Sequence, residues 1–272
     1  MACITRLTSL DDPRLDVFAR LTDHELRACL EEGRGIFIAE SRMVVEVALD
    51  AGVEPLAFLV TERQLASSHD LLDRVGDEVC AFVLPEKEAE RLVGYPFTRG
   101  LLCAMRRPQA RTVAEVTGDA RRVVLVEDLV DVSNLGALVR SAAALGADAL
   151  VLSPGCADPL CRRALRVSMG TTLLVPWARA ERSEWPAVTL GSLRDAGFTV
   201  CALALGHGAQ PIDDPDLELG DKRALVFGSE GPGLAEETIT CADYVLTIPM
   251  SNGVDSLNVA ASSAVAFWQL FR

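Results

Sequence analysis

The last apolar strand and the last helix of the chain are joined by the stretch Ile248-Pro249-Met250-Ser251-Asn252-Gly253-Val254-Asp255-Ser256-Leu257-Asn258-Val259-Ala260. The strand-like run at 244–248 stops at a proline, which cannot donate to a strand ladder. Asp255 or Ser256 is expected to cap a helix that runs from Leu257 towards Phe271. This helix is apolar on nearly every side, as buried helices are, and its first turn offers free N–H groups to a ligand. Taken alone, the stretch favours an ordinary capped core helix.

Length and composition bound the class of protein. A chain of 272 residues, with 50% hydrophobic and 24% charged residues, suits two domains or one large α/β domain. No run approaches about 18 uncharged apolar residues, so no membrane span is expected. The first residues carry no hydrophobic signal region, which favours the cytoplasm.

Cysteines and charge restrict the cofactors and partners. The eight cysteines are scattered without a Cys-x-x-Cys pair, and the three histidines are dispersed. We therefore expect free, mostly buried thiols and no metal. The net charge of −13 argues against nucleic acid as a partner, but the only lysines among the 26 basic residues are Lys87 and Lys222. Arginine binds phosphate bidentately and stacks on bases, so local arginine patches remain compatible with RNA.

The first hundred residues predict a small α/β domain. Residues 6–34 show a helical pattern, and strands are expected at 36–39, 56–60, 79–84 and 101–105, with helices at 40–49, 67–75 and 86–93. The chain then turns polar and basic from Arg106 to about Ala120. These patterns predict an N-terminal domain at 1–108, a linker at 109–119 and a second domain at 120–272.

The second domain has the pattern of a parallel sheet covered on both faces. Short apolar runs occur at 123–126, 149–152, 173–175, 200–205, 224–227 and 244–248, with helical segments near 135–145, 161–168, 186–197 and 233–240. Ligands bind such sheets at the carboxyl ends of the strands.

Two further loops follow strands of this sheet. In the first, Asn134 stands where an N-cap is expected, and Arg140 can reach back over Gly136 because the two share a helical face. This leaves room for an anion, although a capped helix with a surface arginine is an equally good interpretation. In the second, residues 228–233 read Gly-Ser-Glu-Gly-Pro-Gly. The glycines allow close backbone approach to a ligand, but the lysine of a phosphate loop is absent.

Together the three loops resemble the SpoU/TrmH family of S-adenosylmethionine-dependent RNA 2′-O-ribose methyltransferases. The matching motifs are N-x-G-x-x-x-R at 134–140, G-S-E-G-x-G at 228–233, and I-P-M with S-L-N-V-A at 248–260. The resemblance covers about residues 121–272 and includes the Arg-rich segment at 162–170. It implies an α/β fold in which a C-terminal parallel-sheet domain of the SPOUT type is knotted into a trefoil, and a homodimer packed through the knot region.

The resemblance also implies roles for particular residues. Those expected to surround S-adenosylmethionine are Ala204, Leu205, Gly228, Gly233, Ile248, Met250 and Leu257. Those expected to carry catalysis are Asn134, Arg140, Glu230, Ser256 and Asn258. The N-terminal part, through Phe37-Ile38-Ala39-Glu40-Ser41, more loosely resembles the ribosomal-protein-like RNA-binding domain that precedes this catalytic domain in several rRNA methyltransferases. RNA contacts are expected at Arg34, Arg42, Arg106, Arg107, Arg162, Arg163 and Arg166.

The leading hypothesis is therefore methyl transfer from S-adenosylmethionine to a ribose 2′-hydroxyl of structured RNA. The separate N-terminal domain favours ribosomal RNA, and transfer RNA is the nearest rival because members acting on it share the same motifs. A catalytically idle module that only binds RNA or senses the cofactor is the second alternative. An oxidoreductase lacks the early glycine fingerprint.

Overall fold

The computed structural model describes residues 1–22, 31, 33–206 and 208–271. The strands in these residues are β1 Cys3–Arg6, β2 Ile36–Glu40, β3 Pro55–Thr61, β4 Cys80–Leu84, β5 Leu101–Arg106, β6 Arg122–Val126, β7 Ala149–Leu152, β8 Trp177–Arg179, β9 Thr199–Leu203, β10 Gln210–Pro211, β11 Arg223–Phe227 and β12 Tyr244–Thr247. The α-helices are α1 Arg42–Asp50, α2 Glu62–Ser67, α3 His69–Asp73, α4 Glu86–Val93, α5 Val113–Thr117, α6 Val132–Ala144, α7 Arg162–Ser168, α8 Ala187–Asp195, α9 Glu236–Thr240 and α10 Val259–Leu270. Short 3-10 helices occupy Pro13–Phe18 and Thr171–Leu173.

The chain divides into two compact units. The first comprises Met1–Pro108 and Leu160–Leu173, and the second comprises Gln109–Pro159 and Leu174–Arg272. The break after Pro108 falls where the sequence places the end of the first domain. Residues 160–173 differ from the prediction, which assigned them to a continuous domain at 120–272. The predicted linker at 109–119 also differs, because it belongs to the second unit and contains α5.

The first unit is a mixed sheet with helices. Its strand order is β1-β4-β3-β5-β2. Strands β1, β3 and β4 run parallel, whereas β5 pairs antiparallel with both β3 and β2. Large apolar side chains, among them Phe18, Ile38, Leu59, Phe82 and Phe97, form a buried core on this sheet. The α/β character predicted for this part is confirmed.

Helix α7 is built into the first unit by an ion pair. Arg162 Nη1 lies 2.5 Å from Glu40 Oε2 at the end of β2, and the Glu40 side chain is only 4% exposed. The guanidinium also stacks over the Tyr95 ring, with Cζ 4.5 Å from the centroid. A Cβ placed on Gly170 would lie 3.1 Å from Val47 of α1, so this backbone packs closely as well. The pairing with a buried carboxylate explains why residues 160–173 stay with the first unit.

The second unit contains a seven-stranded sheet in the order β10-β12-β9-β11-β6-β7-β8, with every pair of neighbours parallel. Val124 and Val126 pack on one face with α6 and α10, while Val123 and Leu125 pack on the other with α5, α8 and α9. Because successive strand residues point to opposite faces, the continuous apolar runs fill both cores. The predicted parallel α/β sheet is confirmed.

One predicted element is wrong, and a second differs over its first part. The apolar run at 173–175 was expected to be a strand, but Thr171–Leu173 is a 3-10 helix and the strand lies at Trp177–Arg179. The helical segment expected at 6–34 instead begins with the end of β1 and a 3-10 helix at Pro13–Phe18. The remainder of that prediction falls largely on 23–30 and 32, which lie outside the described residues.

Within the described part of the chain, no helix combines the length and the apolar character needed to cross a membrane. The same residues contain no group of three or more His, Cys, Asp or Glu side chains arranged to hold a metal ion.

Candidate active site

The three motif loops leave the sheet at one edge. Strands β12, β9, β11 and β6 are consecutive neighbours and all parallel, so their carboxyl ends meet at the same edge. The segments that follow β6, β11 and β12 carry Asn134, in the first turn of α6, and Glu230 and Asn258, in loops. The topology therefore brings together side chains that are up to 124 positions apart in the sequence.

The first loop ends at helix α6, whose N-cap is Asp131. The Asp131 Oδ1 accepts hydrogen bonds from the N–H groups of Ser133 and Asn134, each at 2.8 Å. The predicted N-cap at Asn134 is therefore wrong, and Asn134 lies one turn further into the helix. This placement frees the Asn134 amide for contacts outside its own helix. Arg140 follows on α6 with an exposed side chain that has no hydrogen bond or ion pair among the described residues.

The second loop folds back on itself at the end of β11. Ser229 and Gly233 form an isolated β-bridge, and the Gly233 N–H donates to the Ser229 carbonyl at 3.1 Å. A Cβ on Gly228 would lie 2.3 Å from the carbonyl carbon of Gly233, so only glycine fits there. Gly231 and Gly233 have φ of 90° and 72°. This closed turn presents Glu230 at its exposed tip.

Three side chains from the three loops form one hydrogen-bonded network. Asn134 Nδ2 donates to Glu230 Oε1 at 2.8 Å, and Asn258 Nδ2 donates to the same oxygen at 2.5 Å. Asn258 Nδ2 also lies 3.0 Å from Asn134 Oδ1, which accepts from it. Both amides thus direct their N–H groups at one carboxylate, and this fixes the three loops relative to one another. We call these three residues the amide–carboxylate network.

Asn258 also caps the last helix. Its Oδ1 accepts from the Ala260 N–H at 2.9 Å. The sequence placed the cap at Asp255 or Ser256, and that prediction is wrong, since α10 begins at Val259. Ser256 is exposed in the preceding loop and lies outside the network.

The residues predicted to hold the cofactor lie on the loops after β9, β11 and β12. The Ala204 N–H donates to the Leu246 carbonyl at 3.0 Å, which aligns the ends of β9 and β12. Leu205 and Leu257 are apolar yet 54% and 42% exposed. Ile248 and Met250 are half-buried, and Gly228 and Gly233 frame the glycine turn. Exposed apolar side chains next to strand ends form a surface that a flat apolar group can cover.

Glu127 is a residue of this edge that the sequence reading missed. It directly follows β6 and is 5% exposed. Its N–H donates to the Phe227 carbonyl at 2.8 Å, and its Oε1 accepts from the Ala235 N–H at 3.3 Å. The residue therefore holds both ends of the glycine turn. Burial raises the pKa of its carboxyl above the ordinary value of 4.5, against the opposing effects of Thr238 and the Ala235 N–H.

The arginines that the sequence predicts to contact RNA all lie in the first unit, and they differ in whether an ion pair neutralises their charge. Arg42 pairs with Asp70 and Glu46, Arg106 with Glu54, and Arg162 with Glu40. Arg166 lies 3.8 Å from the same glutamate, and Arg107 has a buried Nε. Arg34 and Arg163 are exposed and have no ion pair within the described residues. Of these arginines, Arg34 and Arg163 therefore have the positive charge that is most available to a ligand.

The last helix is buried on one side only. Ser263, Ala266, Phe267 and Leu270 face the core, and the Phe227 and Phe267 rings meet edge to face with centroids 5.3 Å apart. On the opposite side Val265 and Trp268 are 41% and 56% exposed. Within this chain the helix is therefore buried on one face, and the expectation that it is buried on nearly every side is wrong.

In a parallel α/β sheet, the carboxyl edge at which these motif loops converge is where ligands bind. Residues 121–268 match the SpoU rRNA methylase family, and the chain belongs to it. The family comprises RNA methyltransferases that use S-adenosylmethionine. The resemblance inferred from the three motifs is confirmed.

Individual relatives agree with this membership over nearly the whole chain. An uncharacterized tRNA/rRNA methyltransferase of Mycobacterium bovis is 41% identical over 96% of this chain and 90% of its own length. The AdoMet-bound rRNA methyltransferase of Sinorhizobium meliloti has the same fold, with a TM-score of 0.79, 24% identity, and coverage of 98% of this chain and 97% of its own. An RNA 2′-O ribose methyltransferase structure has a TM-score of 0.76 and 27% identity, covering 97% of each chain.

Proposed function

We propose that this protein transfers the methyl group of S-adenosylmethionine to a ribose 2′-hydroxyl of structured RNA, with ribosomal RNA as the substrate class. The observation that carries the proposal is the amide–carboxylate network, which joins the three family motifs. An exposed Arg140 follows Asn134 on the same helix. Membership of the family and the likeness to an RNA 2′-O ribose methyltransferase support the same reaction.

The residues at the sheet edge fit S-adenosylmethionine. Adenine has flat aromatic faces that pack on apolar side chains and polar edges that backbone groups can recognise. Leu205, Ile248 and Leu257 supply apolar surface next to strand ends. Gly228 permits the close turn of backbone that would lie beside the cofactor. Ala204, Gly233 and Met250 complete the proposed site. When bound there, S-adenosylmethionine supplies the electrophilic methyl group.

Arg140 is the proposed activator of the ribose hydroxyl. Methyl transfer is an in-line displacement, so holding the nucleophile in position contributes much of the rate. Arginine stays protonated in proteins, so Arg140 cannot act as a general base in the usual sense. We assign it two tasks: binding the phosphate next to the target ribose and stabilising the negative charge that develops on the 2′-oxygen as the hydroxyl proton passes to solvent water. Asn134, Glu230 and Asn258 hold the loops in place, and Ser256 contacts the ribose.

Variants of Arg140 test this assignment. Arg140→Ala should lower the rate of radiolabelled methyl transfer roughly 10² to 10³-fold, as expected for loss of one electrostatic stabiliser. Arg140→Lys keeps the charge but loses the bidentate fork, and should also be slow. Calorimetric titration with S-adenosylmethionine serves as the control, since both variants should bind it as the wild type does. A fully active Arg140→Lys variant would refute the bidentate role.

The RNA class is tested by the same radiolabel. The first unit resembles an RNA-binding domain, and we propose that it binds the substrate RNA through its available arginines, Arg34 and Arg163 first. Separate incubations with unmodified ribosomal and transfer RNA should label the ribosomal RNA, with alkali-resistant dinucleotides marking ribose methylation. If only transfer RNA is labelled, transfer RNA and not ribosomal RNA is the substrate class. If neither RNA is labelled, the result favours a module that binds RNA or the cofactor without catalysis.

We further propose that two copies of the chain associate through the exposed side of α10 and that the C-terminal segment is threaded as the family's trefoil knot. Val265 and Trp268 give this side an apolar surface suited to a symmetric interface. Light scattering at micromolar concentration should give the mass of a dimer, and Val265→Asp should give that of a monomer. A monomeric wild type would exclude this interface.

A further inference from the structure

A polar cavity lies at the edge of the parallel sheet opposite to the candidate active site. It has a volume of about 150 Å³ and is lined by Arg121, Arg122, Asp221, Arg223 and Leu270. Arg122 and Arg223 are the first residues of β6 and β11, so the cavity lies at the amino ends of the strands whose carboxyl ends carry the candidate active site. A five-residue strand spans roughly 16 Å, which separates the two sites clearly.

The cavity gathers the side chains of three arginines around a single aspartate, Asp221. Arg122 and Arg223 are direct partners in the register of β6 and β11. Like charges placed opposite each other on neighbouring strands destabilise a sheet, and arginine cannot escape by losing its proton. Arg121 adds a third guanidinium beside them. In a chain with a net charge of −13, three arginines are thus gathered at one cavity.

Hydrogen bonds hold the arginines of this cavity in place. Arg223 Nη1 donates to the Leu270 carbonyl at 2.5 Å and its Nε to the Gly220 carbonyl at 3.0 Å. The Arg122 guanidinium lies over Gly146, where a Cβ would approach Nη1 to 3.1 Å. Asp148 accepts from the backbone N–H groups of Arg121 and Arg122 through one oxygen. The side chains of Arg121 and Arg122 form no ion pair within the described residues, although Asp221 also lines the cavity.

We propose that this cavity is a phosphate-binding site, separate from the active site, that holds a backbone phosphate of the bound RNA. Phosphate accepts several charge-assisted hydrogen bonds from arginine forks, and the negative charge of a phosphodiester offsets part of the repulsion between them. A cavity of about 150 Å³ can hold a molecule as large as benzene, so a phosphate group fits. The RNA source rests on the proposed function, whereas a free phosphate ion would use the same chemistry.

Neutral variants with a matched control test the site. Arg121→Gln and Arg122→Gln each remove one charge from the cavity, and Arg182→Gln removes one from an exposed turn elsewhere in the second unit. Filter binding to deproteinised bacterial ribosomal RNA is measured from about 50 mM to about 200 mM salt. The cavity variants should bind RNA more weakly, with the slope of log K against log salt reduced by about 1, and the control should keep the wild-type slope. Methyl transfer at saturating RNA should be unchanged.

A parallel titration with inorganic phosphate, followed by ³¹P NMR, distinguishes the source of the ligand. Phosphate binding that is lost in both cavity variants, with RNA affinity unaltered, would support the site but assign it to the free ion. Unchanged binding of both RNA and phosphate in the two variants would overturn the proposal. If the wild-type protein binds no RNA at all, the proposed function is refuted. The phosphate titration then still shows whether the cavity binds phosphate.

Discussion

At the scale of single residues, Asn258 serves two structural purposes that chemistry can separate. Its Oδ1 caps α10, and its Nδ2 donates to Glu230 and Asn134. Asn258→Asp keeps an oxygen for the cap but replaces the donor with a second carboxylate facing Glu230. We expect methyl transfer to fall about 100-fold, as for loss of one oriented donor in an active site. Single-turnover assays with radiolabelled cofactor measure this.

Thermal unfolding provides the contrast for Asn258. The aspartate variant should unfold near the wild-type temperature, because aspartate is as good a cap as asparagine and solvent screens its repulsion from the exposed Glu230. Asn258→Ala loses the cap as well and should be less stable by about 1 kcal/mol. If the aspartate variant is as active as the wild type, the donor contacts of Asn258 do not hold the site together.

Glu127 predicts a pH dependence of stability. Its pKa is raised in the folded protein because the carboxyl is buried, so the folded state keeps a proton that the unfolded state releases near pH 4.5. Stability therefore decreases as the pH rises from this value through the folded pKa, and the loss persists above it. Glu127→Gln cannot ionise and still accepts from Ala235. Its stability relative to the wild type should increase across this window and then level off, as urea unfolding from about pH 4 to about pH 8 would show.

The same comparison contains its own control. Near pH 4 both side chains are neutral in the folded state, so the two proteins should have similar midpoints. A stability difference that stays constant over the whole range would mean that Glu127 does not ionise differently in the folded and unfolded states.

At the scale of elements, the glycine turn between β11 and α9 is the most constrained segment of the site. Gly228→Ala would place a Cβ 2.3 Å from the Gly233 backbone, so the turn must open. Because Glu230 lies on this turn, we expect a loss of about 100-fold in the methyl-transfer rate, the scale of a misplacement of about 1 Å. Gly191→Ala is the matched control, since nothing lies within 4 Å of its added Cβ in α8. That variant should stay active and gain roughly 0.5–1 kcal/mol of stability.

The sequence predicted elements well where a local pattern determines them. The runs at 123–126, 149–152, 200–205, 224–227 and 244–248 each fall on a strand of the parallel sheet, because continuous apolar runs have one stable use in a sheet covered on both sides. The strand predicted at 173–175 is wrong because the periodicity of so short an apolar segment does not distinguish a strand from a helix. Leu174 is in fact 56% exposed.

Cap positions and the contacts between loops required the structure. The sequence predicts Asn134 as the N-cap of α6, whereas the structure has Asp131 there. Both are good capping residues, and local sequence alone does not distinguish them. The hydrogen bonds of Glu230 to two distant amides depend on strand order, which no local pattern contains. The motifs identified all three residues, and only the fold revealed that they share one network.

At the scale of the whole molecule, Arg162 shows that the boundary of the family match differs from the boundary of the compact units. The residue lies inside the matched range 121–268 but forms its ion pair within the first unit. Arg162→Ala leaves the buried Glu40 without this partner and should destabilise the first unit by about 3 kcal/mol. Hydrogen exchange should then lose protection in β2 and α1.

Arg163 provides the matched substitution on the same helix. It is exposed and has no ion pair in the described part of the chain, so Arg163→Ala should change stability by less than about 0.5 kcal/mol. Equal effects of the two substitutions would show that the Arg162–Glu40 pair does not anchor α7.

The discontinuous first unit has a consequence for the order of synthesis. Its strands are all present once Pro108 has been made, but its last segment ends at Leu173, 65 residues later. At a translation rate of about 5–20 residues per second, that interval lasts roughly 3–13 s. During it, Glu40 has not yet met the arginine that neutralises it. The amino-terminal unit, although translated first, therefore completes its folding only after more than a quarter of the second unit has left the ribosome's catalytic centre.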